Sequence, residues 1–148
     1  MAGILIDTNL LVYWVDQNEP AKRIRAKEVL GVLELHRAGR LSAQSLAEFV
    51  NVTINKLKPR LSPDQALENV SLFSRLWPVF DLTSQIVSEA ARGVRDHHLS
   101  YYDAQIWATA RLNHVTVVFS EDFQDGLTLE GVKFVNPFTP GFDIDQWF

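Results

Sequence analysis

The chain has 148 residues, 47% of them hydrophobic and 22% charged, the composition of a single globular domain able to bury roughly two thirds of its unfolded surface. A formal net charge of −4 argues against a general nucleic-acid coat, which draws on surplus Lys and Arg. With no cysteine there is no disulfide framework or thiolate metal site, which leaves oxygen ligands and four histidines for any cation and favours a hard one.

No apolar run approaches the ~18 residues that a membrane span requires. The first run is broken by Asp7 and lacks the pattern of a secretory signal, so a cytoplasmic protein with one domain over residues 1–148 is expected. That run, Ile4-Leu5-Ile6, has the character of a strand covered on both faces in a parallel sheet, and it ends abruptly in Asp7-Thr8-Asn9. In open α/β sheets ligands bind at strand carboxyl ends, which makes Asp7 a functional candidate. Equally, Asp7, Thr8 or Asn9 can cap the helix that follows.

A short helix is predicted over residues 10–15, closed by Asp16-Gln17-Asn18. Pro20 suits the first position of a second helix, which carries Ala26, Val29, Leu30 and Leu33 at helical spacing and stops at Gly39. Residues 40–42 can form a second strand. A third helix carries Leu46, Phe49, Val50, Thr53 and Leu57 and ends at Pro59; Ser62-Pro63-Asp64-Gln65 opens a fourth, with Ala66, Val70, Phe73 and Trp77 on one stripe that serves core or helix-hairpin packing. A strand follows over 78–82, and Thr83 opens a fifth helix through Ile86, Ala90 and Val94. Asp96-His97-His98 is a surface loop rather than a zinc site, because adjacent histidines diverge and no third lies at ligand spacing. A sixth helix is expected from Ser100 to about Asn113, a strong strand over 115–119, a turn over 120–126 and a last strand over 132–135.

Alternating strands and helices predict a doubly wound, three-layer α/β/α sandwich with a mostly parallel, Rossmann-like sheet. The first two and the last helical segments should cover its faces. The third and fourth, separated only by residues 59–61, form an inserted helical hairpin at the rim.

Four acids then stand at an element boundary or on a helix's inner face: Asp7 ends the first strand, Glu48 lies in the first turns of the third helix, Asp103 opens the sixth helix and Asp122 follows the strong strand. Each has a structural alternative. Ser45-Leu46-Ala47-Glu48 and Ser100-Tyr101-Tyr102-Asp103 fit capping boxes, and Asp122 fits a turn. Together they would meet on one sheet edge. Two carboxylates ~4 Å apart repel by about 4 kcal/mol at an effective dielectric near 20, so such a cluster calls for a cation. Mg²⁺ or Mn²⁺ fits, with one or two ions and a substrate phosphate completing the shell, and the chemistry is in-line phosphodiester hydrolysis. Of the basic clusters, Lys22, Arg23, Arg25 and Lys27 form a solvated helix face; Lys56, Lys58 and Arg60 leave a helix beside a candidate acid and can track a phosphate backbone.

Ile4-Leu5-Ile6-Asp7-Thr8-Asn9, the stretch from Ser42 to Glu48-Phe49, Ser100-x-x-Asp103-Ala104 with Ala108 and Ala110, and Val118-Phe119-Ser120-Glu121-Asp122-Phe123 together resemble the PIN domain, particularly VapC-type toxins of bacterial toxin–antitoxin pairs. The resemblance spans essentially the whole chain. It implies a Mg²⁺- or Mn²⁺-dependent ribonuclease of single-stranded or loop RNA, usually a homodimer, held inactive by a cognate antitoxin. It carries metal and catalytic roles to Asp7, Glu48, Asp103 and Asp122, and the orienting of the first acid to Asn9 and Ser120. On this basis Asp7 and Asp103 hold the principal ion, Asp122 completes its shell, Glu48 binds a second ion or orients the attacking water, and Lys56, Lys58 and Arg60 guide the RNA. Glu121 and Asp125 leave open which acid of the last turn takes part.

Rival readings are a phosphatase of another α/β class and a non-catalytic protein keeping the fold to dimerise or bind an antitoxin. The phosphatase would want Asp-x-Asp, where Asn9 stands; a dinucleotide-binding domain would want a G-x-G-x-x-G turn, which the sequence lacks. The apolar tail Phe142, Ile144, Trp147 and Phe148 either folds onto the core or joins a dimer face.

Overall fold

In the computed structural model, which describes residues 3–148, the first strand, β1 (Ile4–Ile6), is wholly buried. Its neighbours are β2 (Gly39–Ser42) on one side and β4 (Val117–Phe119) on the other, both parallel to it. Beyond β2 lies β3 (Val79–Phe80), and beyond β4 lie β6 (Val132–Val135) and the antiparallel edge strand β5 (Thr128–Leu129), giving the order β3-β2-β1-β4-β6-β5. Six helices connect these strands: α1 (Thr8–Val15), α2 (Pro20–Leu35), α3 (Ala43–Asn55), α4 (Pro63–Leu76), α5 (Ser84–His97) and α6 (Tyr101–Leu112). The fold is the expected mostly parallel sheet flanked by helices.

Side chains alternate across a strand, and β1 divides its residues accordingly. Ile4 and Ile6 join Leu10, Leu30, Leu33, Phe49, Phe73 and Phe119 in one apolar layer; Leu5 joins Ile86, Ala90, Trp107, Val118 and Phe134 in the other. The chain leaves β1 toward β2 and β3, then crosses back through α5 and α6 to β4. The order therefore reverses between β1 and β4, where open sheets leave a crevice beyond their carboxyl ends.

Several expectations need correction. Gly39 does not cap α2: the helix ends at Leu35, the left-handed residue is Arg37 (φ 52°), and Gly39 begins β2. A Cβ at Gly39 would lie 2.4 Å from the Trp77 ring, so close packing explains this glycine. Ser42 rather than Ser45 caps α3, which places Ser45 inside that helix, while Ser100 takes the cap position of α6 as its motif has it. α5 covers a sheet face with α6, and α4 sends Phe73 and Trp77 into the core rather than resting only at the rim. Asp96 and His97 belong to the last turn of α5, and His97 Nε2 meets Glu130 Oε2 at 2.6 Å. The two-residue β5 was not foreseen. The tail folds back, with Ile144 3% exposed and Phe142 and Trp147 edge-on to Phe119. Among the described residues no helix is long and apolar enough to cross a membrane.

Candidate active site

Asp7 follows β1, and its N–H donates to the Phe119 carbonyl (3.0 Å), which ties it to β4. It caps α1: Oδ1 accepts from the Thr8 N–H (2.7 Å), while Oδ2 accepts from the Ser120 hydroxyl (2.7 Å). Capping and site membership are therefore compatible, because each uses a different oxygen. The residue is only 4% exposed. Burial, with repulsion from Asp122 and Glu48, pushes its pKa up to about 7 against the pull of the two hydrogen bonds.

Ser120 lies wholly buried at the end of β4 and links the other groups. Its oxygen accepts from Asn9 Nδ2 (3.2 Å) and from the Asp122 N–H (3.1 Å), and Asn9 Nδ2 also donates to Asp122 Oδ2 (3.2 Å). The acid beside Asn9 is thus Asp122. Glu121 turns the other way, toward Tyr13 and Lys22, and Asp125 accepts from the Asn136 N–H (2.8 Å). Partial burial raises the Asp122 pKa, with help from the charges of Asp103, Glu121 and Glu48.

Glu48, in the second turn of α3, has both oxygens held: Thr8 Oγ1 donates to Oε2 (2.8 Å) and Gln44 Nε2 to Oε1 (2.9 Å). Gln44 also donates to the Tyr102 carbonyl (3.1 Å) and accepts from Gln105 Nε2 (2.9 Å), and Tyr101 donates to Gln105 (2.8 Å). This chain of side chains ties α3 to the start of α6, where Asp103 sits in the first turn. Neither acid is used for capping: the Ser42 hydroxyl caps α3 through the Ser45 N–H, and the Ser100 side chain makes no cap bond. Thr8, Gln44 and Gln105 escaped sequence reasoning. For the two glutamines the available signal was a polar residue, 9% and 4% exposed respectively, on an otherwise buried helix face.

The acids couple electrostatically, Asp7 to Asp122 and Glu48, and Asp122 to Asp103 and Glu48. Among the described residues no three His, Asp or Glu side chains form a ready-made metal cage, so the arrangement does not suit a closed structural site. It does suit a hard cation held through one or two carboxylates, with water and phosphate completing the shell. The buried Asn9 Oδ1, which lacks a hydrogen-bond partner, adds a further oxygen beside the acids.

From this point a cleft of about 390 Å³ runs between α1 and α3, floored by Val12, Val52 and Leu57, with Lys56 in its lining. Lys58 and Arg60 are exposed and lie outside that lining. A larger cleft of about 500 Å³ along α5 contains none of the four acids.

The family model of the PIN domain matches residues 4–124. No curated protein matches the sequence. Among solved structures, the chain is similar to a toxin–antitoxin complex from Klebsiella pneumoniae, at 18% identity and a TM-score of 0.66 over 92% of this chain and 98% of that one. It is also similar to the DNA-bound VapBC from Salmonella typhimurium (19% identity, TM-score 0.62, 90% and 97% covered). A third is VapC20 from Mycobacterium tuberculosis, a sarcin-ricin loop cleaving toxin (16% identity, TM-score 0.59, 81% and 92% covered). At these identities the likeness is one of fold.

Proposed function

The chain belongs to the PIN domain family, and from that premise we propose that it is a divalent-metal-dependent endoribonuclease, the toxin of a toxin–antitoxin pair. The observation that carries this reading is Asp7, buried at the switch point with both oxygens oriented and its ionised form disfavoured. A carboxylate held in that way favours a cation beside it. Asp7 and Asp103 would hold the principal ion, directly or through water, with Asp122 completing its shell. Bound there, Mg²⁺ or Mn²⁺ supplies an activated water and charge neutralisation at the leaving oxygen.

The chain's own residues fix the geometry. Glu48, pinned by Thr8 and Gln44, keeps lone pairs free to orient the attacking water or to hold a second ion. Asn9 and Ser120 set the separation of Asp7 from Asp122. Water attacks phosphorus in line with the departing sugar oxygen, so one P–O bond forms as the opposite one breaks. Lys56 lines the cleft that leaves the acids and offers a charge for the RNA backbone, with Lys58 and Arg60 farther along the chain. A cognate antitoxin and a second copy of the chain are the proposed partners; the toxin–antitoxin complexes among the similar structures support the first.

The test is cleavage of mixed cellular RNA with Mg²⁺, with Mn²⁺ and with chelator. Metal-dependent cutting lost in Asp7→Asn is expected. Cutting that survives both chelator and Asp7→Asn rejects the assignment, and a folded protein that cuts no RNA under any condition favours the non-catalytic interaction protein.

A further inference from the structure

We propose that Lys22 and Tyr13 are positioning residues of this site: they clamp Glu121 outside the acid cluster and so fix the turn that presents Asp122. The role in catalysis rests on the nuclease reading above, but the clamp itself can be measured without it.

Glu121 and Asp122 are consecutive residues on the turn after β4, and their side chains part. Asp122 goes to Asn9. Glu121 goes to the opposite side, where the Tyr13 hydroxyl donates to Oε1 and Lys22 Nζ donates to Oε2 (2.8 Å). Lys22 also donates to the Tyr13 oxygen (3.1 Å), which closes a three-membered network. The Lys22 ammonium stands 4.8 Å from the Tyr13 ring centroid and 5.8 Å from that of Phe138, whose ring meets Tyr13 edge-on at 5.0 Å. Three elements converge here: the consecutive helices α1, through Tyr13, and α2, through Lys22, and the turn some hundred residues on, through Glu121.

An exposed ion pair contributes little, but this one is partly enclosed, with the Glu121 side chain 20% exposed and that of Lys22 39%. Each oxygen of Glu121 has its own donor, and one donor is seated on aromatic rings. Two consequences follow for the neighbouring acid. A restrained Glu121 cannot swing round to compete with Asp122 for a cation, and the Lys22 charge offsets the repulsion that Glu121 exerts on Asp122. The turn is also a single mechanical unit, because Ser120 accepts from the Asp122 N–H while donating to Asp7. Loosening Glu121 therefore loosens the spacing of Asp7 and Asp122. The role of Lys22 thus differs from the solvated face expected of its cluster.

The test compares wild type with Tyr13→Phe and with the charge-balanced pair Lys22→Met and Glu121→Gln, which leaves net charge unchanged. Amide hydrogen exchange at Asp122, Mn²⁺ binding by calorimetry without RNA, and kcat and KM are measured. Groups that orient metal ligands are worth about 10- to 100-fold in affinity or activity. The charge-balanced pair should accordingly weaken Mn²⁺ binding and lower kcat by about 10-fold or more, with KM for RNA little changed. Exchange at Asp122 should quicken while the core of β1 and β4 stays protected; Tyr13→Phe should do the same to a smaller degree. Wild-type exchange and Mn²⁺ affinity in the charge-balanced variant overturn the proposal. Loss of protection across the whole sheet also overturns it, by making the network a fold element only. A wild type that neither binds Mn²⁺ nor cuts RNA sinks the nuclease reading and the catalytic role together, while Asp122 exchange still decides whether the clamp exists.

Discussion

Asp7 is subject to opposed forces: two short hydrogen bonds favour its charged form, while burial and two neighbouring acids disfavour it more. The sign of the resulting pH dependence follows from the raised value. Between its ordinary 3.8 and about 7 the folded state holds a proton that the unfolded state has released, so stability declines as pH rises through that window and the loss is complete above it. At ~1.4 kcal/mol per pH unit the penalty is on the order of 4 kcal/mol. Metal-free protein should therefore have a lower urea midpoint at pH 8 than at pH 5.5, and Asp7→Asn should reduce that difference while abolishing cleavage. An unchanged difference would remove Asp7 as its source. Mn²⁺ at millimolar concentration should recover stability at pH 8 in wild type but not in Asp7→Asn, because ligand bound to the native state alone stabilises it. In the sequence Asp7, Asp103 and Asp122 stand out as charges at element boundaries and Glu48 as one on a helix's inner face. Gln44, Gln105, Tyr13 and Lys22 were not legible there, because their partners across the fold lie 58 to 108 residues away, and a polar residue on an apolar helix face does not by itself name its partner.

Two glycines separate what local sequence encodes from what packing imposes. Gly39 sits mid-sheet against the buried ring of Trp77, where a Cβ would come within 2.4 Å, whereas Gly31 lies in α2 with nothing within 4 Å of that position. Gly39→Ala should lower stability by roughly 1–3 kcal/mol through overpacking, and Gly31→Ala should raise it by up to ~1 kcal/mol through helix propensity. Denaturant midpoints of the two variants check both signs, and a neutral Gly39→Ala would reject close packing against Trp77 as the reason for that glycine. The same contrast governs legibility. Helices were visible from apolar spacing and from signals such as the Ser62 capping box. β5, two residues long and paired only through its neighbour, carries too little pattern to be seen. Of the two S-x-x-[DE] motifs, the one in α6 places its cap correctly at Ser100, whereas the one in α3 misled: Ser42 ends β2 and takes the role assigned to Ser45.

At the scale of the whole molecule, alternation of strands and helices was enough to predict a mostly parallel, doubly wound sheet, since few topologies satisfy parallel pairing with short connections; the strand order that puts the switch point between β1 and β4 is set by the packing. Which side chains seal the sheet beyond it was not legible, and the tail is the instance with a measurable consequence. The family match ends at residue 124, yet β6 pairs with β4 from Val117↔Lys133 to Phe119↔Val135. Phe142 and Trp147 then pack edge-on to Phe119, at 5.6 and 5.4 Å between ring centroids, and Arg25 holds the tail through the Pro137 and Phe142 carbonyls (2.8 and 3.3 Å). Phe119 carries the carbonyl that fixes Asp7 and directly precedes Ser120, so uncovering it disturbs the core and the site together. Ending the chain after Pro140 removes three large apolar side chains from this layer. Full burial of such a side chain contributes ~1.5–3 kcal/mol; Ile144 is buried and Phe142 and Trp147 are half-buried, so their combined loss is a large part of the stability of a typical domain, about 5–15 kcal/mol. The shortened chain should be poorly soluble or melt far below wild type, and any soluble fraction should lose Mn²⁺-linked stabilisation. A well-folded monomer with wild-type melting would instead make the tail an interface between copies.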